Sequence, residues 1–221
     1  KLHTVLLSKF LRKEHLHQPN HTMQKKYALI SVSDKTEITK LATTLVHFGY
    51  TLLSTGGTAK ELRGAGFDVI DVSDFTGFPE CFEGRVKTLH PKVHGAILHV
   101  RGNKEHEAKA KQLGIDRIDF VVVNLYPFQA TIARGADFEK AIENIDIGGP
   151  AMLRSAAKNH ESVTVVCNPA DYDDLIRNLH ANNGETSPEF RLMLAAEVFE
   201  ETSRYDMAIG GYLRQQQATK K

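Results

Sequence analysis

The sequence contains no tryptophan and only two cysteines, Cys81 and Cys167, which lie far apart. Two isolated thiols form neither a disulfide framework nor a cysteine-rich metal site, and they are typical of a reducing compartment. No stretch approaches the roughly 18 consecutive apolar residues of a membrane-spanning helix. The sequence therefore argues against a disulfide-stabilised secreted domain and predicts a cytoplasmic protein without a membrane segment.

Neither sign of charge is in excess. The 28 Lys and Arg residues face 27 Asp and Glu residues, which gives a formal net charge of +1. A protein whose main partner is nucleic acid normally carries a basic surplus. We therefore expect no nucleic-acid partner, and any anion site must come from a local cluster of basic side chains.

The length of 221 residues and the hydrophobic content of 41% suit one domain with a sizeable core. Residues 1–22 are basic, and their one notable apolar run is too short for the core of a signal peptide. We expect a mobile leader at residues 1–22, with a transit peptide as the alternative. The folded domain is predicted at residues 23–214, and residues 215–221 are predicted to fray.

Short apolar runs alternate with helical patterns along the chain. The predicted strands are residues 27–32, 50–54, 67–70, 94–100, 118–124 and 163–166. The predicted helices are residues 34–48, 59–65, 105–113, 128–134, 137–144, 150–159, 171–180, 188–204 and 206–213. This order predicts the α/β class, with a parallel sheet, helices on both faces and further C-terminal helices. Residues 71–94 show no period and are predicted to be a long functional loop.

Two strand-to-helix junctions carry small polar residues. Residues 54–60 contain Gly56 and Gly57 between two threonines, and residues 31–35 contain two serines, Asp34 and Lys35. Glycines allow close approach of a ligand, and a helix start presents unpaired N–H groups, so both junctions suit a phosphate. A plain glycine-rich turn and simple helix capping are the respective alternatives. A P-loop is excluded because its Gly-Lys-Ser/Thr run is missing.

Residues 85–94 concentrate one arginine, two lysines and two histidines in the irregular segment. Aromatic and aliphatic flanks suggest that this loop packs onto the body and holds its charges in place; a solvated basic loop is the alternative. His90 and His94 are four residues apart, as metal ligands on a helix would be. We disfavour a metal because no cysteine or carboxylate shares that spacing, and because Pro91 argues against a regular helix.

The last candidates follow the predicted strand at residues 118–124, which is nearly all apolar. Tyr126 comes just after it, where its hydroxyl would enter a site unless it is a core tyrosine. Asp146 precedes a helix predicted to begin with Pro150 in its first turn, so a carboxylate meets free amides there. Arg154 and Lys158 share one face of that helix. A partly buried Lys158 would suit proton transfer, whereas a surface lysine near a helix C-terminus is the alternative.

Taken together, six motifs resemble the IMP cyclohydrolase half of the bifunctional AICAR formyltransferase/IMP cyclohydrolase family. They are SVSDKT (31–36), STGGTA (54–59), TGFPE (76–80), GRVKTLHP (84–91), NLYPF (124–128) and IDIGGP with AAKNH (145–150 and 156–160). The resemblance runs in order over about residues 27–213. The formyltransferase domain would begin where this chain ends, so we expect either a fragment or a standalone cyclohydrolase without formyl-transfer activity.

The resemblance implies a methylglyoxal-synthase-like α/β fold and closure of 5-formamidoimidazole-4-carboxamide ribonucleotide to IMP. It implies four catalytic residues, Lys158, Asp146, Tyr126 and Lys87. The residues that it implies for substrate binding are Ser31, Ser33, Asp34, Lys35, Thr55, Gly56, Gly57, Thr58, Arg85, Val86, Thr88, Val123, Asn124, Ile147 and Gly148. A homodimer is implied as well, and neither a metal nor another cofactor is expected.

Ring closure requires a carboxamide nitrogen to lose a proton while the formyl oxygen gains charge. Our hypothesis makes Asp146 the proton acceptor. Lys87, Tyr126 and backbone amides would stabilise the oxygen, and Lys158 would transfer a proton as water leaves. Much of the rate should come from holding two groups of one molecule in reacting geometry.

Two other functions remain as alternatives. Methylglyoxal synthase would share the fold and the phosphate loop, but it does not account for residues 85–91 or 146–160. A non-catalytic nucleotide-sensing module would keep the phosphate loop without needing the four catalytic side chains together. Two positions depart from the family pattern: Glu37 replaces a usual glycine, and residues 81–83 are unusual before Gly84.

Overall fold

The computed structural model describes residues 25–219. Five parallel strands form one sheet in the order β3-β2-β1-β4-β5. Their bounds are Lys26–Val32 (β1), Tyr50–Ser54 (β2), Val69–Asp71 (β3), Ile118–Asn124 (β4) and Thr164–Val166 (β5). The two central strands, β1 and β4, are almost wholly buried, as expected for strands that helices cover on both faces.

The helices connect these strands and cover both faces of the sheet. Their bounds are Ile38–His47 (α1), Gly56–Gly64 (α2), Val72–Thr76 (α3), Pro91–Leu98 (α4), Lys104–Leu113 (α5), Phe128–Ala133 (α6), Phe138–Glu143 (α7), Gly148–Lys158 (α8), Tyr172–Ala181 (α9) and Pro188–Thr219 (α10). A short 3₁₀ turn, Pro169–Asp171, precedes α9. None of the described helices is long and apolar enough to span a membrane.

The core divides into two large apolar clusters, one on each face of the sheet. Leu29, Val121 and Leu153 belong to the cluster under α4 and α8, and Ile30, Leu41 and Leu175 belong to the one under α1 and α9. Alternate residues of β1 and β4 point into each cluster because strand side chains alternate between faces. The predicted α/β class, with a parallel sheet and helices on both faces, is confirmed.

The prediction of a strand at residues 94–100 is wrong. These residues lie largely in α4, and Pro91 is its first residue. The Nδ1 atom of His90 accepts a hydrogen bond from the backbone N–H of Lys92, which caps the helix start. Proline is tolerated in the first turn, where its missing N–H would have no helical partner. The predicted 71–94 loop also contains a short helix, α3.

The predicted division of the C-terminal helices is also wrong. One continuous helix, α10, runs through residues 204–206 and continues to Thr219, into the segment predicted to fray. The helix that follows Asp146, α8, begins at Gly148, two residues before the predicted proline start. The predicted leader, residues 1–22, lies outside the described residues.

Candidate active site

The register of the sheet brings most candidate residues to one edge. Ser31 of β1 lies opposite Val123 of β4, and Asn124 lies opposite Val32. Thr55, the first residue after β2, lies beside Ser31 because Ser54 pairs with Ile30. This is the carboxyl end of every strand, where parallel α/β sheets bind ligands.

A cradle for an anion lies at the start of α2. Gly56, the first helical residue, has φ +49°, a conformation that side-chain-bearing residues rarely adopt. The Nζ atom of Lys87 lies 3.8 Å from where a β-carbon on Gly56 would stand, and Lys35 Nζ lies 3.9 Å from the same point on Gly57. Two ammonium groups therefore flank a helix N-terminus, which itself favours negative charge.

Thr58, a residue predicted to bind substrate, holds the cradle together instead of facing solvent. The hydroxyl of Thr58 is buried, accepts from Val32 N at 3.0 Å and donates to Val32 O at 2.9 Å. Its only donor hydrogen is therefore already used. Ser31 Oγ lies 3.5 Å from Thr55 Oγ1, and both residues are half-buried, so their hydroxyls are not closed off as that of Thr58 is.

Asn124 clamps the turn after β1. Its Oδ1 atom accepts hydrogen bonds from the backbone N–H groups of Ser33 (2.7 Å) and Asp34 (2.9 Å), and its Nδ2 atom donates to Asp34 O at 2.8 Å. Asp34 in turn accepts from the N–H and hydroxyl of Thr36, and these hydrogen bonds lower the pKa of its carboxyl. The last residue of the central strand thus fixes the loop that presents Lys35.

The basic loop starts with a tight hairpin, and its packing onto the body is only partial: Val93 is buried, whereas Phe82 and Leu89 are 73% and 38% exposed. Cys81 and Val86 pair across the hairpin by backbone hydrogen bonds, and Phe82 and Glu83 between them both have positive φ. The turn reverses the chain so that Lys87 points back to the cradle. Arg85, whose side chain is exposed, forms an ion pair with Glu143 instead of facing the cradle.

Lys87 carries a partner that the sequence did not reveal. Its Nζ atom lies 2.6 Å from Oε2 of Glu80, and the lysine side chain is about three-quarters buried. A cleft of about 230 Å³ opens there, between the helix start and the loop. Its lining residues are Thr55, Gly56, Asp71, Val72, Ser73, Phe78, Pro79, Glu80 and Lys87.

Asp146 stands at the start of α8, with Oδ1 accepting a hydrogen bond from Gly149 N at 2.8 Å. Burial raises the pKa of its carboxyl, although hydrogen bonds from the backbone N–H groups of Gly149 and Tyr126 partly offset this effect. A β-carbon on Gly149 would stand 2.5 Å from Asp146 Oδ2 and 2.8 Å from a Leu125 methyl. Only glycine therefore leaves room for the carboxylate in this position.

Three more predicted residues lie near the start of α8. Tyr126 is 56% exposed and Ile147 is 59% exposed, so neither is a core residue, and the backbone N–H of Tyr126 bonds the Asp146 carboxylate. The hydroxyl of Thr88, from the basic loop, lies 2.6 Å from where a β-carbon on Gly148 would stand. The loop and the start of α8 are consequently in contact, which joins the two halves of the site.

Lys158 is not brought to this site. It is the last residue of α8 and is exposed, which matches the alternative of a surface lysine near the helix C-terminus. At 1.5 Å per residue it lies about 15 Å along the helix from Gly148. Its neighbour one turn earlier, Arg154, lies over the ring of Phe199 at 5.5 Å.

The two histidines of the basic loop are engaged by the fold. His90 caps α4, and Nδ1 of His94 lies 3.0 Å from the hydroxyl of Ser155. Burial lowers the pKa of His94. Within residues 25–219, no group of three or more His, Cys, Asp or Glu residues has the arrangement of a metal site.

The geometry defines a class of protein: an α/β domain with a phosphate cradle at the carboxyl edge of its sheet and a carboxylate at the start of a nearby helix. Comparisons with known proteins agree. The family described as MGS-like domain matches residues 37–151, and the AICARFT/IMPCHase bienzyme family matches residues 156–221. The chain belongs to the MGS-like domain family.

Curated relatives are similar over most of the chain. The bifunctional purine biosynthesis protein PurH of Ruminiclostridium cellulolyticum is 54% identical over 190 residues, which are 86% of this chain and 37% of the relative. PurH of Chlorobium phaeobacteroides is 58% identical over 189 residues, or 85% of this chain and 36% of the relative. The chain therefore spans just over a third of the length of the curated relatives it matches.

A solved structure is similar as well. The protein called ForH has a crystal structure that matches with a TM-score of 0.74 and 38% sequence identity. The match covers 84% of this chain and 95% of that one. The predicted methylglyoxal-synthase-like fold is thus confirmed by a family match and shared with a solved structure.

Proposed function

We propose that this chain catalyses the IMP cyclohydrolase reaction, the closure of 5-formamidoimidazole-4-carboxamide ribonucleotide to IMP with loss of water. The observation that carries the proposal is the meeting of two features at one edge of the sheet. One is the anion cradle of α2 with Lys35 and Lys87, and the other is the partly buried carboxylate of Asp146. The match to the bienzyme family and the similarity to PurH support the same activity.

The 5′-phosphate would bind at the start of α2. Free N–H groups, the ammonium groups of Lys35 and Lys87, and the hydroxyls of Ser31 and Thr55 are the donors available there. A phosphate dianion would then compete with Glu80 for Lys87. The base end would lie toward Asp146, with Tyr126 and Ile147 beside it.

Ring closure forms a bond between the carboxamide nitrogen and the formyl carbon. Asp146 accepts a proton from that nitrogen, and an ammonium or hydroxyl donor stabilises the charge on the formyl oxygen. Lys87 and Tyr126 have these roles in the proposal. The oxygen then leaves as water, which takes one proton derived from the carboxamide nitrogen and one from the formamide nitrogen. No step of this route calls for a metal ion or a redox cofactor.

The proposed proton-transfer role of Lys158 rests on the family resemblance, since its exposed ammonium lies far from the other three side chains. Lys158→Ala tests it. A loss of turnover above about 10²-fold, the scale of a positioned acid or base, would support a site completed by a second copy of the chain. An unchanged rate would remove Lys158 from the mechanism.

The experiment that tests the function is an absorbance assay of purified protein with the formylated ribotide. We expect conversion to IMP. Folded protein that binds IMP but shows no turnover would favour the nucleotide-sensing module. Production of methylglyoxal from dihydroxyacetone phosphate would favour methylglyoxal synthase, which the similarity to PurH makes the weaker alternative.

We propose three further properties of the chain from the family resemblance and the sequence. They are a homodimer in solution, a cytoplasmic location and no nucleic-acid partner. Light scattering coupled to size-exclusion chromatography tests the first directly. A monomer at the concentration of full activity would contradict it.

A further inference from the structure

One side chain of the long C-terminal helix bonds directly to the turn that carries Asp146. The hydroxyl oxygen of Tyr205 accepts a hydrogen bond from the backbone N–H of Asp146 at 2.8 Å. The same hydroxyl donates toward the carbonyl oxygen of Asn144 at 3.5 Å. One phenol therefore bridges both ends of a three-residue turn whose last residue is the proposed proton acceptor.

The phenol itself is firmly placed. Tyr205 is only 8% exposed and packs in a third apolar cluster with Phe128, Ala141 and Tyr212. Its ring meets that of Phe128 edge-on, with centroids 6.3 Å apart, and Tyr212 contacts Phe128 in the same way at 5.7 Å. A tyrosine ring fixed by packing holds its hydroxyl with little freedom, so it can define the position of the backbone that it bonds.

The turn needs such a support. Asn144 and Ile145 connect α7 to the residues just before α8, and Asp146 has to hold its carboxylate against the N–H of Gly149. A donor or acceptor left unpaired at a partly buried turn destabilises the fold. Without the phenol, the N–H of Asp146 would lose its partner, and the backbone would shift to recover one.

We infer that Tyr205 is a positioning residue for the proposed cyclohydrolase. It holds the Asp146 turn in place and so orients the carboxylate toward the carboxamide nitrogen. This inference rests on the proposed function. It also gives α10 a role in the site, although this helix lies outside the residues matched as MGS-like domain and inside those matched as the bienzyme. Tyr205 acts through Asp146, since both hydrogen bonds of its hydroxyl go to the backbone of this turn.

The test compares Tyr205→Phe with Tyr212→Phe. Both changes remove one hydroxyl from the same helix and the same aromatic cluster, but the structure gives Tyr212 no hydrogen bond to the Asp146 turn among the described residues. We expect kcat of Tyr205→Phe to fall by about 10- to 100-fold, since small misplacements of a reacting group cost up to about 10²-fold. KM should stay close to wild type because the phosphate cradle is untouched.

Two further measurements separate positioning from general loosening. Competitive inhibition by ribose 5-phosphate reports the cradle and should be the same in both variants and the wild type. Amide hydrogen exchange should become faster at Asp146 in Tyr205→Phe and stay slow in Tyr212→Phe. A kcat equal to that of the wild type in Tyr205→Phe would overturn the inference, as would equal losses in the two variants.

The two proposals fail in different ways. Wild-type protein without turnover would defeat the proposed function. Exchange at the Asp146 amide would still decide whether the Tyr205 hydroxyl holds the turn, and unchanged exchange in Tyr205→Phe would defeat the positioning role by itself.

Discussion

Replacing Asp146 by asparagine separates its chemistry from its structural contact. The side-chain oxygen of asparagine can still accept the hydrogen bond from Gly149 N, now 2.8 Å from Oδ1, but the amide cannot take up a proton. We expect turnover to fall by about 10²- to 10⁴-fold, the usual contribution of a positioned base. At about 1.36 kcal/mol per decade, this raises the barrier by roughly 2.7–5.4 kcal/mol.

The stability of Asp146→Asn should not fall. Burial raises the pKa of this carboxyl in the folded state above its ordinary value of 3.8, so the charged form is disfavoured by folding. That cost is present above the folded pKa and disappears as the pH falls below the unfolded value. At neutral pH the neutral amide avoids the cost. Asp146→Ala, in contrast, also loses the bond to Gly149 and should lower the free energy of unfolding by about 1 kcal/mol.

The assay pairs initial rates on the formylated ribotide with urea unfolding of all three proteins. IMP affinity, measured by calorimetry, should change little in Asp146→Asn because the phosphate cradle lies on other elements. A variant that keeps at least half of the wild-type kcat would refute the role of Asp146 as proton acceptor. A large loss of stability in the asparagine variant would show that its inactivity has a structural cause.

Three further predictions follow from named contacts. With Asp146 as the base, kcat should fall toward acid pH with a midpoint above 3.8, since burial raises this pKa, and an Asp146→Asn variant should lose that limb of its pH–rate profile. Gly149→Ala should cost about 1–3 kcal/mol of stability by crowding Asp146 and should lower kcat, measured by unfolding and by rate. Glu37 has φ 56°, a left-handed conformation that glycine adopts without strain, so Glu37→Gly should raise the melting temperature. Its exposed contact to Lys40 at 3.9 Å is a minor loss, and an unchanged or lower melting temperature would contradict the strain.

Much of the fold is predictable from the sequence because it depends on local pattern. The apolar run of β4 predicts a central strand, and the rule that ligands bind at the carboxyl ends of strands is enough to group Ser31, Thr55 and Asn124. The error at α4 is also local. Proline usually breaks a helix, but His90 caps a helix here that begins with Pro91 itself.

The parts of the site that could not be predicted depend on contacts between distant residues. Glu80 stands in a motif of the sequence, yet its pairing with Lys87 requires the left-handed turn at Phe82 and Glu83. No sequence pattern singles out Tyr205, because its role depends on a hydrogen bond to Asp146, 59 residues earlier in the chain. The exposure of a side chain likewise depends on the assembled fold. Lys158 is exposed, although the helical pattern suggested that its face of α8 could pack inward.

The ion pair between Lys87 and Glu80 neutralises the lysine charge within the cleft. The Lys87 ammonium that would face an incoming phosphate already has the Glu80 carboxylate 2.6 Å away. A bound anion therefore stabilises the complex only by the amount by which its interaction with Lys87 exceeds that of Glu80. In the proposed complex, a phosphate dianion displaces Glu80 from Lys87. The pair is thus an exchange contact: it neutralises the lysine before the ligand arrives, and it makes the net gain from the phosphate smaller than that of an unpaired lysine. Added salt should weaken both contacts.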